Sequence, residues 1–102
     1  MERRELGTTG YDVTEVGLGT WEVGADWGDV SEAEGRAAIE AALDAGVNFF
    51  DTADVYGDGR SERLIADVLA EREESPVVAT KAGRRLDPHE ADGYTGENLR
   101  RF

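Results

Sequence analysis

Strand-like and helix-like segments alternate along this chain at a step near 30 residues, and such a chain can satisfy its strands only by pairing them in parallel. Val16-Gly17-Leu18-Gly19-Thr20 reads as a short buried strand running into a loop rich in Gly, Trp and Asp. Ser31 with Glu34 three residues on forms a capping box, and Gly46 stands where a left-handed helix end is wanted. The Ala-rich stretch between them predicts a helix. Its Glu32, Arg36, Glu40 and Asp44 make a polar stripe with attractive pairs at the first two steps, opposite a face of Ala38, Ile39, Ala42 and Leu43. Val47-Asn48-Phe49-Phe50 is a second strand. Asp54 to Arg60 is a loop, and Ser61 is expected to cap a further helix with Leu64, Ile65, Val68 and Leu69 inward and Arg63 paired to Asp67 outside. Pro76 stops that helix, Val77-Val78-Ala79-Thr80 is a third strand, and Thr95-Gly96-Glu97-Asn98 opens a third helix after a polar loop. Ahead of all these, Arg3 to Val13 predicts a hairpin turning at Gly7-Thr8-Thr9-Gly10.

Trp21, Asp51 and Lys81 stand 30 residues apart, each just past a strand, so they are expected at equivalent places at one end of the sheet. Parallel strands joined by helices form either a doubly wound sheet or a (β/α)8 barrel, and both gather their sites at the carboxyl ends of the strands. A closed barrel takes about 250 residues. With 102, the chain is expected to be an incomplete unit of such a fold.

Charge narrows the partners. Twenty-three acidic residues against 11 basic ones give a net charge of −12, which disfavours nucleic acid and anionic membranes. The start MERRELGTTG has no apolar run, so neither a signal peptide nor a membrane span is expected. The absence of Cys removes disulfides and thiolate metal sites and suits a cytoplasmic location. Val, Ile, Leu and Phe make up only about a fifth of the chain, which predicts a thin core. Every basic residue except Lys81 is Arg, and an acidic, Lys-poor surface is one solution for solubility in concentrated salt.

Asp51, Tyr56 and Lys81 are the residues whose types suggest chemistry. A phenol titrates near about 10, so a Tyr that donates a proton at neutral pH needs a positive charge beside it, and Lys81 with Asp51 as counter-ion supplies one. The same pattern also describes a purely structural Asp–Lys pair between neighbouring strands with Tyr56 on the surface. Other signals are weaker. Gly17-Leu18-Gly19 begins like a dinucleotide fingerprint, but Glu22 takes the third glycine position. Asp54 to Gly59 lacks the alternating ligands of a calcium loop, His89 reads as a solvated loop residue, and no metal site is expected. Trp21 and Trp27 are packing residues or stacking platforms for an aromatic group.

Taken together, Gly17-Leu18-Gly19-Thr20-Trp21, the string Ala45 to Gly57 with Asn48-Phe49-Phe50-Asp51-Thr52-Ala53 and Tyr56-Gly57, then Gly59-Arg60-Ser61-Glu62 and Ala79-Thr80-Lys81 resemble the amino-terminal third of the aldo-keto reductases. The resemblance runs over essentially all of residues 1–102. It implies an amino-terminal part of a (β/α)8 barrel domain whose bottom is plugged by the hairpin. It also implies an oxidoreductase that reduces aldehydes or ketones with NADPH, or with NADH, acting on a small carbonyl substrate. Carried over by position, Tyr56 is the proton donor, Lys81 the charge that assists it and Asp51 the partner of Lys81. Gly19, Thr20, Trp21 and Asp51 are the cofactor-binding positions. The family's catalytic His would lie beyond Phe102 and is not His89; most adenosine and phosphate contacts would lie beyond it too. A non-catalytic barrel fragment that pairs with another chain is the alternative, and a Schiff base on Lys81, as in barrel aldolases, is a chemical rival.

Overall fold

The computed structural model of the chain describes residues 1–24 and 30–102. Strands β1 (Arg3–Glu5) and β2 (Asp12–Thr14) form the expected antiparallel hairpin. Strands β3 (Leu18–Gly19), β4 (Phe49–Asp51) and β5 (Val77–Ala79) make a parallel sheet in that order. Between and after them run α1 (Trp21–Gly24), α2 (Glu32–Asp44), α3 (Arg60–Ala70) and α4 (Gly96–Arg100), with a 3-10 turn at Ala91–Gly93. No helix among the described residues is long and apolar enough to cross a membrane. Trp27, one of the two candidate stacking residues, lies outside the described residues.

The alternation of strand and helix is as expected, but the level of the strand ends is not. Asp51 is registered with Gly19 on β3 and with Ala79 on β5, so Trp21 and Lys81 lie two residues beyond its level. Equal spacing along the chain therefore overstated their equivalence. Trp21 itself begins α1 where a loop was expected, and Val23 and Gly24 of that short helix are buried.

Local chemistry explains the helices. The Ser31 hydroxyl accepts from the Glu34 amide at 3.1 Å, and Gly46 adopts φ +91°, the left-handed conformation that ends α2 at little steric cost. Ile39 and Leu43 are buried as expected, yet Ala38 is exposed. Its place in the stripe belongs to Gly35, where Leu64 and Val23 approach so closely that an added Cβ would meet each at 3.0 Å. The two helices meet there. Ser61 is not the cap of α3: Gly59 holds that position at φ +92°, and Ser61 is fully buried one residue inside the helix. Arg63, expected to pair with Asp67, sends Nη1 instead to the Asp58 carbonyl at 3.4 Å.

One core forms between the sheet and helices α2 and α3, built from Val23, Ile39, Leu43, Val47, Phe50, Leu64, Ile65 and Val68. Around its rim, Arg36 pairs with Glu40 at 3.2 Å and also with Glu71, linking α2 to the end of α3. Arg72 bonds Asp44 at 2.7 Å and Glu74 at 2.5 Å, which raises its guanidinium pKa and holds the Glu74 carboxyl below the usual range. Asn48 ties the hairpin to the foot of the sheet. Asn48 accepts from the Thr14 amide at 2.7 Å and donates its side-chain amide to the Asp12 carbonyl at 2.9 Å.

Candidate active site

The carboxyl end of β4 carries Asp51, and Lys81 reaches back across the two-residue offset to meet it. Its Nζ donates to Asp51 Oδ1 at 3.0 Å, to Oδ2 at 2.9 Å and to the Thr52 carbonyl at 2.9 Å. Three N–H donors thus face three acceptors. The hydrogen bond to Asp51 raises the Lys81 pKa, the charge of Asp51 and then Tyr56 adding to the effect against an opposing desolvation. Lys81 Nζ also stands 5.4 Å from the centroid of the Tyr56 ring, within cation–π range. The structure therefore brings Asp51, Tyr56 and Lys81 together. Both ends of the ion pair remain about half exposed, so the cluster opens to solvent. An amine held charged in this way is a poor nucleophile, which counts against Schiff-base chemistry.

Tyr56 is held by its backbone. Its amide donates to Ala53 O at 3.2 Å and its carbonyl accepts from the Ser61 amide at 3.2 Å, while the Asp54 amide donates to Lys81 O at 3.3 Å. Arg85, a residue with no signal in the sequence, clamps the same loop from the segment after β5. It donates to the Asp54 carbonyl at 2.7 Å and to Asp54 Oδ2 at 3.2 Å, and it pairs with Asp58 at 2.6 Å. These contacts raise the Arg85 pKa, Asp58 contributing most.

The four positions expected at a cofactor divide. Gly19 is exposed, and a Cβ added there would meet nothing within 4 Å. Trp21 is 57% exposed and Asp51 half so. Thr20 is fully buried, its hydroxyl and its amide both donating to the Asp51 carbonyl at 3.0 Å, so its side chain lies beneath the open face. His89 stays in the loop after β5, where Nε2 meets the Tyr94 hydroxyl at 2.6 Å.

A model of the Aldo/keto reductase family matches residues 15–102 of the chain. Pyridoxal 4-dehydrogenase of Microbacterium luteolum is 46% identical over 85 residues, which is 83% of this chain and 25% of that protein. The uncharacterised oxidoreductase YqkF of Bacillus subtilis is 37% identical over 94% of this chain and 28% of its own. Among solved structures, the holo form of aldo-keto reductase AKR11C1 from Bacillus halodurans superposes with a TM-score of 0.73 at 31% identity, covering 89% of this chain and 29% of that one. The chain spans about a quarter of the length of the relatives it matches.

Proposed function

Since the chain belongs to the aldo-keto reductase family, we propose that it is the amino-terminal part of an NAD(P)H-dependent oxidoreductase that reduces aldehydes or ketones to alcohols. On this reading β3, β4 and β5 are the first three strands of a (β/α)8 barrel and the β1–β2 hairpin covers its bottom. The acidic, Cys-free composition supports a cytoplasmic protein adapted to high salt. The observation that carries the proposal is the Lys81 ammonium, fixed by both Asp51 oxygens and set 5.4 Å from the Tyr56 ring.

The residues present fit a nicotinamide cofactor in part. An open Gly19 beside an exposed Trp21 and a half-exposed Asp51 offers a bare backbone and a flat aromatic surface to a planar ring, whereas Thr20 serves from below by holding the Asp51 carbonyl. When bound, NADPH or NADH supplies the hydride that reduces the carbonyl carbon. The chain's own share is the proton. The Tyr56 hydroxyl gives its proton to the carbonyl oxygen as negative charge gathers there, and Lys81 stabilises the phenolate left behind. Asp51 and the Thr52 carbonyl hold Lys81 Nζ in place throughout. In the full-length protein that carries this chain, NADPH-dependent reduction of 4-nitrobenzaldehyde is expected, and Tyr56→Phe should lower kcat by about 100-fold or more. Turnover surviving that substitution would overturn the role of Tyr56. A second reading, a non-catalytic module pairing through β5, draws on the 40% exposure of Val78 in that edge strand; it predicts no turnover in the same assay.

A further inference from the structure

Beneath the ion pair lies a chain of hydroxyl groups that no expectation anticipated. Thr20, Thr52 and Ser61 are each fully buried. Ser61 Oγ stands 2.7 Å from Thr20 Oγ1 and 2.8 Å from Thr52 Oγ1, and Thr20 Oγ1 stands 3.0 Å from the Asp51 carbonyl. The direction of the bonds follows from the last of them. A carbonyl only accepts, so Thr20 donates to Asp51; Ser61 must then donate to Thr20, and Thr52 to Ser61. Every hydroxyl proton in the set is spent.

Each candidate catalytic residue is bonded to this chain. Thr20 grips the Asp51 backbone, the Thr52 carbonyl receives Lys81 Nζ, and the Ser61 amide holds the Tyr56 carbonyl at 3.2 Å. Among the described residues, Ser61 alone touches all three branches, through its hydroxyl and its amide. We propose that Ser61 is a positioning residue, whose buried hydroxyl locks the ends of β3 and β4 to the start of α3 and so keeps Asp51, Lys81 and Tyr56 in one arrangement. The proposal rests on the catalytic reading of those three residues given above. Removing the hydroxyl leaves the Thr52 donor without an acceptor and Thr20 without its donor in a dry site, so the strand ends must shift to satisfy them.

The test uses the full-length protein with Ser61→Ala, Ser61→Thr and Thr52→Val, folding being checked by circular dichroism. Ser61→Ala and Thr52→Val are expected to lower kcat by about tenfold with KM within about twofold, since displacement of reacting groups acts on the chemical step. Ser61→Thr keeps the hydroxyl and should restore most of the rate. A readout free of turnover is the titration of Lys81 by NMR of ¹³Cε-lysine, assigned with Lys81→Arg. In Ser61→Ala the ammonium pKa should fall back toward the ordinary lysine range as its acceptors slacken. Parent values of both kcat and the Lys81 titration in folded Ser61→Ala and Thr52→Val overturn the proposal. So does failure of all these variants to fold, which would make the hydroxyls a stability element alone. A faulty catalytic reading shows itself elsewhere, as an inactive parent or an active Tyr56→Phe, and the Lys81 titration still decides the role of Ser61.

Discussion

Gly24, the last residue of α1, and Gly57 are where α1 and the Tyr56 loop touch backbone to backbone. A Cβ added at Gly24 would meet the Tyr56 carbonyl oxygen at 2.5 Å and the Tyr56 Cβ at 2.8 Å, and neither is the tip of a flexible side chain. Gly57, at φ +65°, turns its bare side to the Gly24 carbonyl. Gly24→Ala can therefore be accommodated only by moving Tyr56, and it should cost about 1–3 kcal/mol of stability, measured by urea unfolding. A midpoint equal to the parent's would show that the loop yields freely. Asp51, Tyr56 and Lys81 stand out in the sequence by side-chain type and by the family resemblance, and the structure brings the three together. Gly24 does not stand out, since a loop glycine looks the same whether or not a second backbone presses on it. Ser61 was misread because a Ser ahead of an apolar helical repeat usually caps, and nothing local revealed that Gly59 had already made the turn. Arg85 meets Asp54 from 31 residues away, a pairing that only the fold creates.

At the scale of elements, the packing of α2 on α3 decides whether the carboxyl ends of the strands are held at all. Ile39, Val68 and Phe50 are completely buried where the two helices meet the sheet, and Gly35 lets Leu64 and Val23 come close. Ile39→Ala removes three carbons from a core with few others to close the gap, so a loss of about 2–4 kcal/mol is expected by thermal or urea unfolding. Ala38→Ser, one residue away, should change stability by less than about 0.5 kcal/mol because Ala38 faces solvent. Similar losses in the two variants would contradict this packing. Strands and long helices were readable from capping residues and apolar spacing, which act locally. The four residues of α1 are too few to show a helical period, and the level of Lys81 relative to Asp51 depends on parallel register, which neither strand encodes by itself. The length of the Lys side chain spans the offset that equal spacing had hidden.

Over residues 1–102 as a whole, the largest electrostatic fact is the imbalance of 23 acidic against 11 basic residues, a net excess of 12 negative charges that remains although Arg36, Arg72 and Arg85 each meet two carboxylates. Salt acts on two opposing effects. The exposed pairs such as Arg4–Glu15, Arg72–Asp44 and Lys81–Asp51 attract at 2.7 to 2.9 Å, and each contributes little. The unpaired acids repel one another over longer distances. Raising ionic strength from 0.1 M to 1 M shortens the screening length from about 10 Å to about 3 Å, so it removes the long-range repulsion while sparing pairs already in contact. Net stabilisation follows, and the unfolding midpoint of the full-length protein should rise by about 2 °C in molar potassium chloride, equivalent to roughly 1 kcal/mol for a larger domain. Sucrose at equal osmolality serves as the control, because it strengthens burial through exclusion from the surface without screening charge. A rise with sucrose but none with salt, or a fall with salt, would show that the acidic surface is no adaptation to salt. A rise specific to salt would place the destabilising charge on the acids that lack partners, with the Asp51–Lys81 contact surviving because its separation is within the screening length even at 1 M.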